Sequence, residues 1–456
     1  MDYKKIVKKY KKEVVSNLQK WIQINSIYDE STVSKTCPFG KGVSSALEFI
    51  AVEAEKHGFE VDRCDGYCTE IVYGKGDIIG IYAHADVVPV SGTWKHDPFS
   101  GTIDEGKMYG RGTSDDKGPA MAAFYALCSL KDNDLIKGYQ VRLVIGGNEE
   151  RGSTCLEYYF NNLHKPYPKY GFTPDGEFPL IYGEKGISNY SVRWEVPFVK
   201  YIKEIKGGVV ANSVIDEAYA LLNTNRKLKV VAAQYFNATG CNYEIENYQE
   251  GVYKLKVFGK AAHGSTPNNG INAGLALLRF LSIYYKDDLL DVVPKYYLDG
   301  QGRALGLYFE TELLHNSTYN VGLIDYKDGV LNYTVNFRYP ENVNPLEVIN
   351  NLNSLNIGKH TLLSESKPLL MDPKSDMVKA LLDVYQTETG DYETPMMTIG
   401  GGTYAKESKN TLAFGSHFPN RDDRIHDSNE TIHIDDLIDS MSIYAHAIDR
   451  LGKLCD

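Results

Sequence analysis

The stretch IIGIYAHADVVP, residues 78–89, decides how the chain is read. Ile78 to Ala83 form an apolar run ended by His84, with Asp86 two residues on and so on the same side of an extended chain. Working outward, residues 44–57 read as a helix closed by Gly58, with strands near 59–64 and 69–73. Downstream, a helix is expected at about 117–131, then the strand VRLVIGG at 141–147 and another helix from Ser153. Strand–helix alternation of this kind implies an α/β sheet layered by helices. Chemistry in such sheets collects at the carboxyl ends of the strands.

Around Gly186 the texture changes. Residues 187–367 hold alternating strands such as YSVRWEV, YKLKVFG and LNYTVNFRYP, with apolar helices expected at about 213–223 and 271–286. This reads as an α+β region with antiparallel sheets. After Pro368 the earlier rhythm returns, with helices near 375–389 and 434–451. The expected organisation is a discontinuous domain, 1–186 with 368–456, into which 187–367 is inserted.

With 456 residues, 43% hydrophobic and 24% charged, the chain has the composition of a globular protein. A net charge of −11 argues against non-specific binding to nucleic acid or anionic lipid. The basic start, MDYKKIVKKYKKEVV, carries Ile6, Val7, Tyr10, Val14, Leu18 and Ile22 at helical spacing, an amphipathic helix rather than a signal peptide. No run of 18 apolar residues exists, so no membrane span is expected. Seven scattered cysteines, without a second pair to match Cys64 and Cys68, read as reduced thiols of a cytoplasmic protein.

Five segments place metal-compatible side chains just after strand-like runs. His84 is a candidate zinc ligand, and Asp86 a carboxylate to fix its tautomer. In MYGRGTSDDKGP, Asp115 and Asp116 precede a helix, where a carboxylate can bridge two cations or simply cap the helix. In VRLVIGGNEERGS, Glu149 and Glu150 point to opposite sides of an extended end. One can hold a metal while the other shuttles a proton for metal-assisted hydrolysis. Asp175 in YGFTPDGEFP reads as a ligand or as an ordinary Asp-Gly turn. The fifth segment, RIHDSNE, offers His426, with His417 and His433 as rivals that spacing alone does not separate. Two histidines, three carboxylates and a further carboxylate for acid–base work fit a pair of divalent cations. No His-Glu-x-x-His is present to suggest a single-zinc protease.

Taken in order, AHADVVP, GRGTSDDKGP, NEERGS, TPDGEFP with GEKG, GKAAHGSTP, NFRYP, IGGGTYA and HDSNE resemble the motifs of the aminoacylase, carboxypeptidase G and carnosinase superfamily of di-metal peptidases. Within it the likeness is greatest to bacterial dipeptidases of the PepV type. The resemblance implies a zinc-peptidase-like catalytic domain with a mixed sheet and flanking helices, plus an inserted α+β lid of two ferredoxin-like units. It implies that His84 and Asp175 hold one metal, Glu150 and His426 the other, with Asp115 bridging. Glu149 becomes the general base and Asp86 the partner of His84, and the peptide between Asp115 and Asp116 becomes cis. His263 becomes the lid histidine that donates to the scissile carbonyl oxygen as charge develops there. Arg338 becomes the clamp for the substrate's terminal carboxylate. Gly401, Gly402 and Thr403 would add backbone donors, and Asn212 would touch substrate polar groups.

The function so implied is hydrolysis of dipeptides or very short peptides, in which a metal-bound hydroxide attacks and Glu149 serves as base. The cofactors would be two divalent ions, zinc first, with manganese or cobalt as alternatives. An insertion of roughly 180 residues is enough for two lid units, so the chain is expected to be a catalytically complete monomer. A deacylase or desuccinylase for N-acyl amino acids would share every ligand. A non-catalytic binding protein on this scaffold would have lost one.

Overall fold

The apolar runs on either side of IIGIYAHADVVP become adjacent strands. The computed structural model describes residues 1–224, 227–239 and 241–455. They divide into two compact units. The first is Met1–Gly183 with Leu370–Thr398 and Gly402–Asp456, and the second is Glu184–Leu369 with Ile399–Gly401.

In the first unit, strands Glu60–Asp62, Cys68–Gly74, Tyr139–Gly146, Asp77–His84, Tyr170–Thr173 and Thr411–Ala413 follow one another across a mixed sheet. Asp77–His84 runs parallel to both of its neighbours. A strand covered on both faces has no polar side to show, hence the unbroken burial from Ile79 to His84. Helix Lys117–Asp132 is buried from Lys117 to Leu130, and an all-round apolar helix belongs inside. Helices Lys11–Ile22 and Ile434–Gly452 pack against it. The amino-terminal segment forms Tyr3–Val7 and Lys11–Ile22, with Val7, Tyr10, Val14, Leu18 and Ile22 turned inward.

Register brings the strand ends level. His84 lies opposite Gly146, and Ile81 opposite Phe172. His84, the Glu149–Glu150 turn and Asp175 therefore emerge at one edge of the sheet.

The second unit is built on one eight-stranded antiparallel sheet. Its order is Asn242–Gln249, Val252–Phe258, Glu217–Asn223, Ile202–Gly207, Thr318–Lys327, Val330–Tyr339, Gly186–Glu195 and Lys359–Ser366. Helix Ala273–Tyr285 packs on it and shares its core with helices Leu228–Thr239 and Pro345–Ser354. The helix expected at 213–223 is instead the strand Glu217–Asn223. Ala218, Ala220 and Leu222 are buried while the residues between them are not, a period of two. The helix of that region lies further on, at Leu228–Thr239. Among the described residues no helix is long and apolar enough to cross a membrane.

Candidate active site

Asp115 lies between two histidines. Its Oδ1 is 2.9 Å from His84 Nε2 and its Oδ2 is 2.7 Å from His426 Nε2. Glu150 Oε1 is 3.1 Å from His426 Nε2, and Asp175 Oδ2 is 3.8 Å from His84 Nε2. Ligand atoms of His84, Glu149 and Asp175, and likewise those of His84, Asp115 and Glu150, all lie within 4.8 Å of one another. The rivals to His426 go elsewhere. His417 Nδ1 lies 3.3 Å from Asp423 Oδ2, and His433 sits in a short strand opposite Lys107.

Two loops fix this geometry. The carboxylate of Asp86 accepts the backbone N–H groups of Glu149 at 3.0 Å and Glu150 at 3.2 Å, which sets the turn that carries both glutamates. His84 Nδ1 is nearer the carbonyl of Asp86, at 3.0 Å, than its carboxylate, at 3.5 Å. The Gly112–Asp115 turn is wrapped around Glu430, whose buried carboxylate accepts N–H groups of Gly112, Ser114 and Asp115 and pairs with Arg111 at 2.6 Å. The Asp115–Asp116 peptide is cis, and Asp116 Oδ2 accepts the His84 N–H at 3.1 Å.

Crowding of carboxylates shows in their protonation. Burial, with Asp175 adding repulsion, pushes Glu149 well above the usual range. Burial and Asp115 push Glu150 up to about 7 and Asp175 up to about 6. Burial would raise Asp115 as well, but His426 and His84 beside it hold it below the ordinary carboxylate range. Burial opposes charge on His426, yet Asp115 and Glu150 raise it to about 11.

In the second unit, Asn336 and Arg338 alternate with the core residues Val335, Phe337 and Tyr339 and so lie on the sheet face opposite the helices, whereas Gly402 and Thr403 belong to the first unit. Arg338 is 4% exposed, with Nε donating to Asn336 Oδ1 at 2.7 Å and Nη1 to Gly400 O at 2.9 Å. It has no acidic partner among the described residues, and burial lowers its pKa to about 10. Asn336 lies in register with Asn189 and Asn320 on the flanking strands. Asn320 Nδ2 holds the carbonyls of Ala211 and Ser213 at 2.9 and 2.8 Å, on either side of Asn212. Asn212 O accepts the Gly264 N–H at 2.7 Å, which ties that loop to the turn bearing His263. His263 is exposed, its Nδ1 2.6 Å from Ser265 Oγ. Thr403 Oγ1 caps the Tyr404–Lys406 turn by accepting the Ala405 N–H, and Gly402 precedes it. Gly401 belongs to the second unit with Gly400.

Residues 80–450 match the model of peptidase family M20/M25/M40. The Bacillus subtilis (strain 168) protein named "Putative dipeptidase YtjP" is 36% identical over 99% of this chain and 100% of its own length. The chain belongs to the M20/M25/M40 peptidase family.

Two solved structures share the M20 fold at low identity. The dipeptidase Dug1p from Saccharomyces cerevisiae superposes with a TM-score of 0.61 at 15% identity, covering 99% of this chain and 98% of that one. An M20 family metallo-carboxypeptidase from Sulfolobus solfataricus gives 0.61 at 18% identity, over 97% and 99%. M20 metallopeptidases use divalent metal ions, and the cluster here fits them. It offers two imidazole nitrogens and several carboxylate oxygens, a donor set suited to zinc, manganese or cobalt. Asp115 turns one oxygen to each histidine, as a bridge requires. Four acidic groups packed this closely also call for positive charge.

Sequence reading of this M20 peptidase passed over three residues that shape the site. Glu430 closes HDSNE and holds the turn that carries Asp115. Asn336 opens NFRYP and orients the arginine. Tyr404, in IGGGTYA, is fully buried, with its ring 6.0 Å from that of His84 and its hydroxyl 2.9 Å from Cys155 Sγ. Each stood inside a quoted motif, which was the available signal.

Proposed function

We propose that this M20 peptidase is a dipeptidase. The observation that carries the reading is Arg338, a buried guanidinium without an acidic partner among the described residues, suited to the free carboxylate of a short peptide. Clamping that carboxylate at a fixed place would set substrate length. The M20 relative from Bacillus subtilis, named as a dipeptidase, supports the same choice.

His84 and Asp175 would hold one divalent cation and Glu150 and His426 the other, with Asp115 shared. The ions, zinc in our reading, would polarise the scissile carbonyl and ionise a water. Glu149, whose burial and anionic neighbours favour taking a proton, receives one from the attacking water and passes it to the departing amine. Asp86 holds Glu149 and Glu150 in place through their backbone N–H groups. His263 donates to the carbonyl oxygen as it gains charge. Arg338 orients the substrate, with help from the Asn212 loop and the backbone around Gly401, Gly402 and Thr403. The second unit serves as the lid, and the chain works as a monomer. Seven free thiols support a cytoplasmic setting.

Hydrolysis of L-Ala-L-Ala by metal-stripped protein, with zinc or manganese restored, tests the reading beside an N-acetylated dipeptide and a tripeptide. Metal-dependent cleavage of the free dipeptide, lowered about 10²–10⁴-fold in Glu149→Gln, is expected. Cleavage of the acetylated substrate alone would make the protein a deacylase. Light scattering checks the monomer.

A further inference from the structure

Asn320 stands opposite Asn336 on the neighbouring strand, as Thr318 stands opposite Arg338. Tyr319 and Val321, on either side of Asn320, belong to the core, so its side chain lies on the face that carries Asn336 and Arg338. Asn320 is 1% exposed, and its Nδ2 donates to Ala211 O at 2.9 Å and to Ser213 O at 2.8 Å. An amide nitrogen has two N–H donors, and here both are spent on one loop. That loop lies directly on the strand. A Cβ on Gly322 would stand 2.2 Å from Ala211 O, so the close approach requires glycine there.

The loop in turn holds the turn that bears His263. The Gly264 N–H reaches Asn212 O at 2.7 Å, and the Val214 N–H reaches Ala262 O at 2.9 Å. These two bonds bracket an antiparallel bridge between Ser213 and His263. Pairs of this kind are the close ones, with Cα atoms about 4.5 Å apart. Gly264 also packs on Asn336, whose Oδ1 would lie 2.9 Å from a Cβ added to it. The two facing asparagines divide the work. Asn336 orients Arg338 through Nε, while Asn320 fixes the backbone on both sides of Asn212 and, one ladder further, His263.

We propose that Asn320 is a positioning residue of this peptidase, acting on the reaction through the Asn212 loop and His263 without touching the substrate. The inference rests on reading His263 as the donor to the scissile carbonyl oxygen. A displacement of about 1 Å in such a group can cost 10²-fold in rate, so a buried amide that sets the backbone can govern turnover. It would do so separately from carboxylate recognition, which Asn336 supports.

The test uses Asn320→Leu, which keeps the branched shape and removes both donors. On L-Ala-L-Ala, kcat is expected to fall about 10–100-fold while KM changes less than about threefold. His263→Ala alone should lower kcat about 10²–10³-fold, and adding Asn320→Leu to it should lower kcat little further. Losses that multiply overturn the proposal, as does an effect confined to KM. If wild type does not cleave the dipeptide, the dipeptidase reading fails, and amide hydrogen exchange decides about Asn320 alone. The Val214 and Gly264 N–H groups should then exchange about tenfold faster in Asn320→Leu, with Val330–Tyr339 unchanged. No acceleration, or an equal one throughout the sheet, overturns the proposal. Should Asn320→Leu not fold, Asn320→Ser keeps a donor for one carbonyl and is read in the same way.

Discussion

The carboxylate of Glu430 accepts the backbone N–H of Asp115 at 3.2 Å. The same group is fully buried and pairs with Arg111, itself 1% exposed. The position of the proposed bridging ligand thus depends on a glutamate that touches no proposed substrate or metal. Replacing it with alanine strands the arginine, and a loss of about 3–5 kcal/mol in urea unfolding is expected. Glu430→Gln keeps the shape and should fold, with metal affinity lowered about 10–100-fold in a competition titration. Unchanged affinity would mean that the loop holds Asp115 without this charge.

Asn336 orients Arg338 through Nε. Asn336→Ala is expected to raise KM for a free dipeptide about tenfold, with a smaller change in kcat. Asn336→Asp should do worse, because it sets a fixed anion against the guanidinium where a substrate carboxylate is meant to lie. Steady-state kinetics on the two variants read the ordering directly.

His360 is 3% exposed, and neither ring nitrogen has a partner among the described residues. Burial pushes its pKa down to about 4. Between an unfolded value of about 6.5 and 4, the unfolded chain takes up a proton that the folded one refuses. Stability is therefore undiminished by this group above pH 6.5 and falls as acid approaches 4, by up to about 3 kcal/mol. Urea midpoints at pH 7.5 and 4.5 should differ less in His360→Phe than in wild type. Identical differences would acquit the histidine.

Gly146 ends the strand beside His84, and a Cβ there would lie 2.1 Å from the hydroxyl of Tyr404. Gly146→Ala is expected to cost about 1–3 kcal/mol through overpacking and to lower activity by shifting the ring next to His84. Adding Tyr404→Phe removes the clashing oxygen, so the double variant should recover part of the lost melting temperature. No recovery would place the strain elsewhere.

Much of the first unit was legible because its central strands run parallel and are covered on both faces. That geometry writes itself as unbroken apolar runs such as Ile78–Ala83, with chemistry at their ends. The choice among His417, His426 and His433 was not legible from spacing. His417 and His433 end short strands and His426 lies in the turn between them, and only the fold sets His417 on Asp423 and His426 beside Glu150. Glu430 was invisible for a related reason. A glutamate in a polar loop looks solvated until the N–H groups that surround it are folded around it. The segment Glu217–Asn223 read as helix because Ala and Leu favour helices locally, but pairing on both edges overrides that preference. Asn336 stood in a recognised motif, yet its contact with Arg338 comes from two positions on one face of a strand, which a linear pattern does not display.

His426 meets Glu150 across 276 residues of chain. During synthesis the second unit is nearly contiguous, from Glu184 to Leu369, and can complete most of its sheet while the ribosome is still translating. The first unit must wait for its last strands and its second imidazole. Until those residues emerge, the nascent chain presents Asp115, Glu149, Glu150 and Asp175 with one histidine rather than two. Metal loading at the proposed site would then wait for His426, and a chain stalled before that residue would carry an acidic cluster without half of its proposed nitrogen ligands.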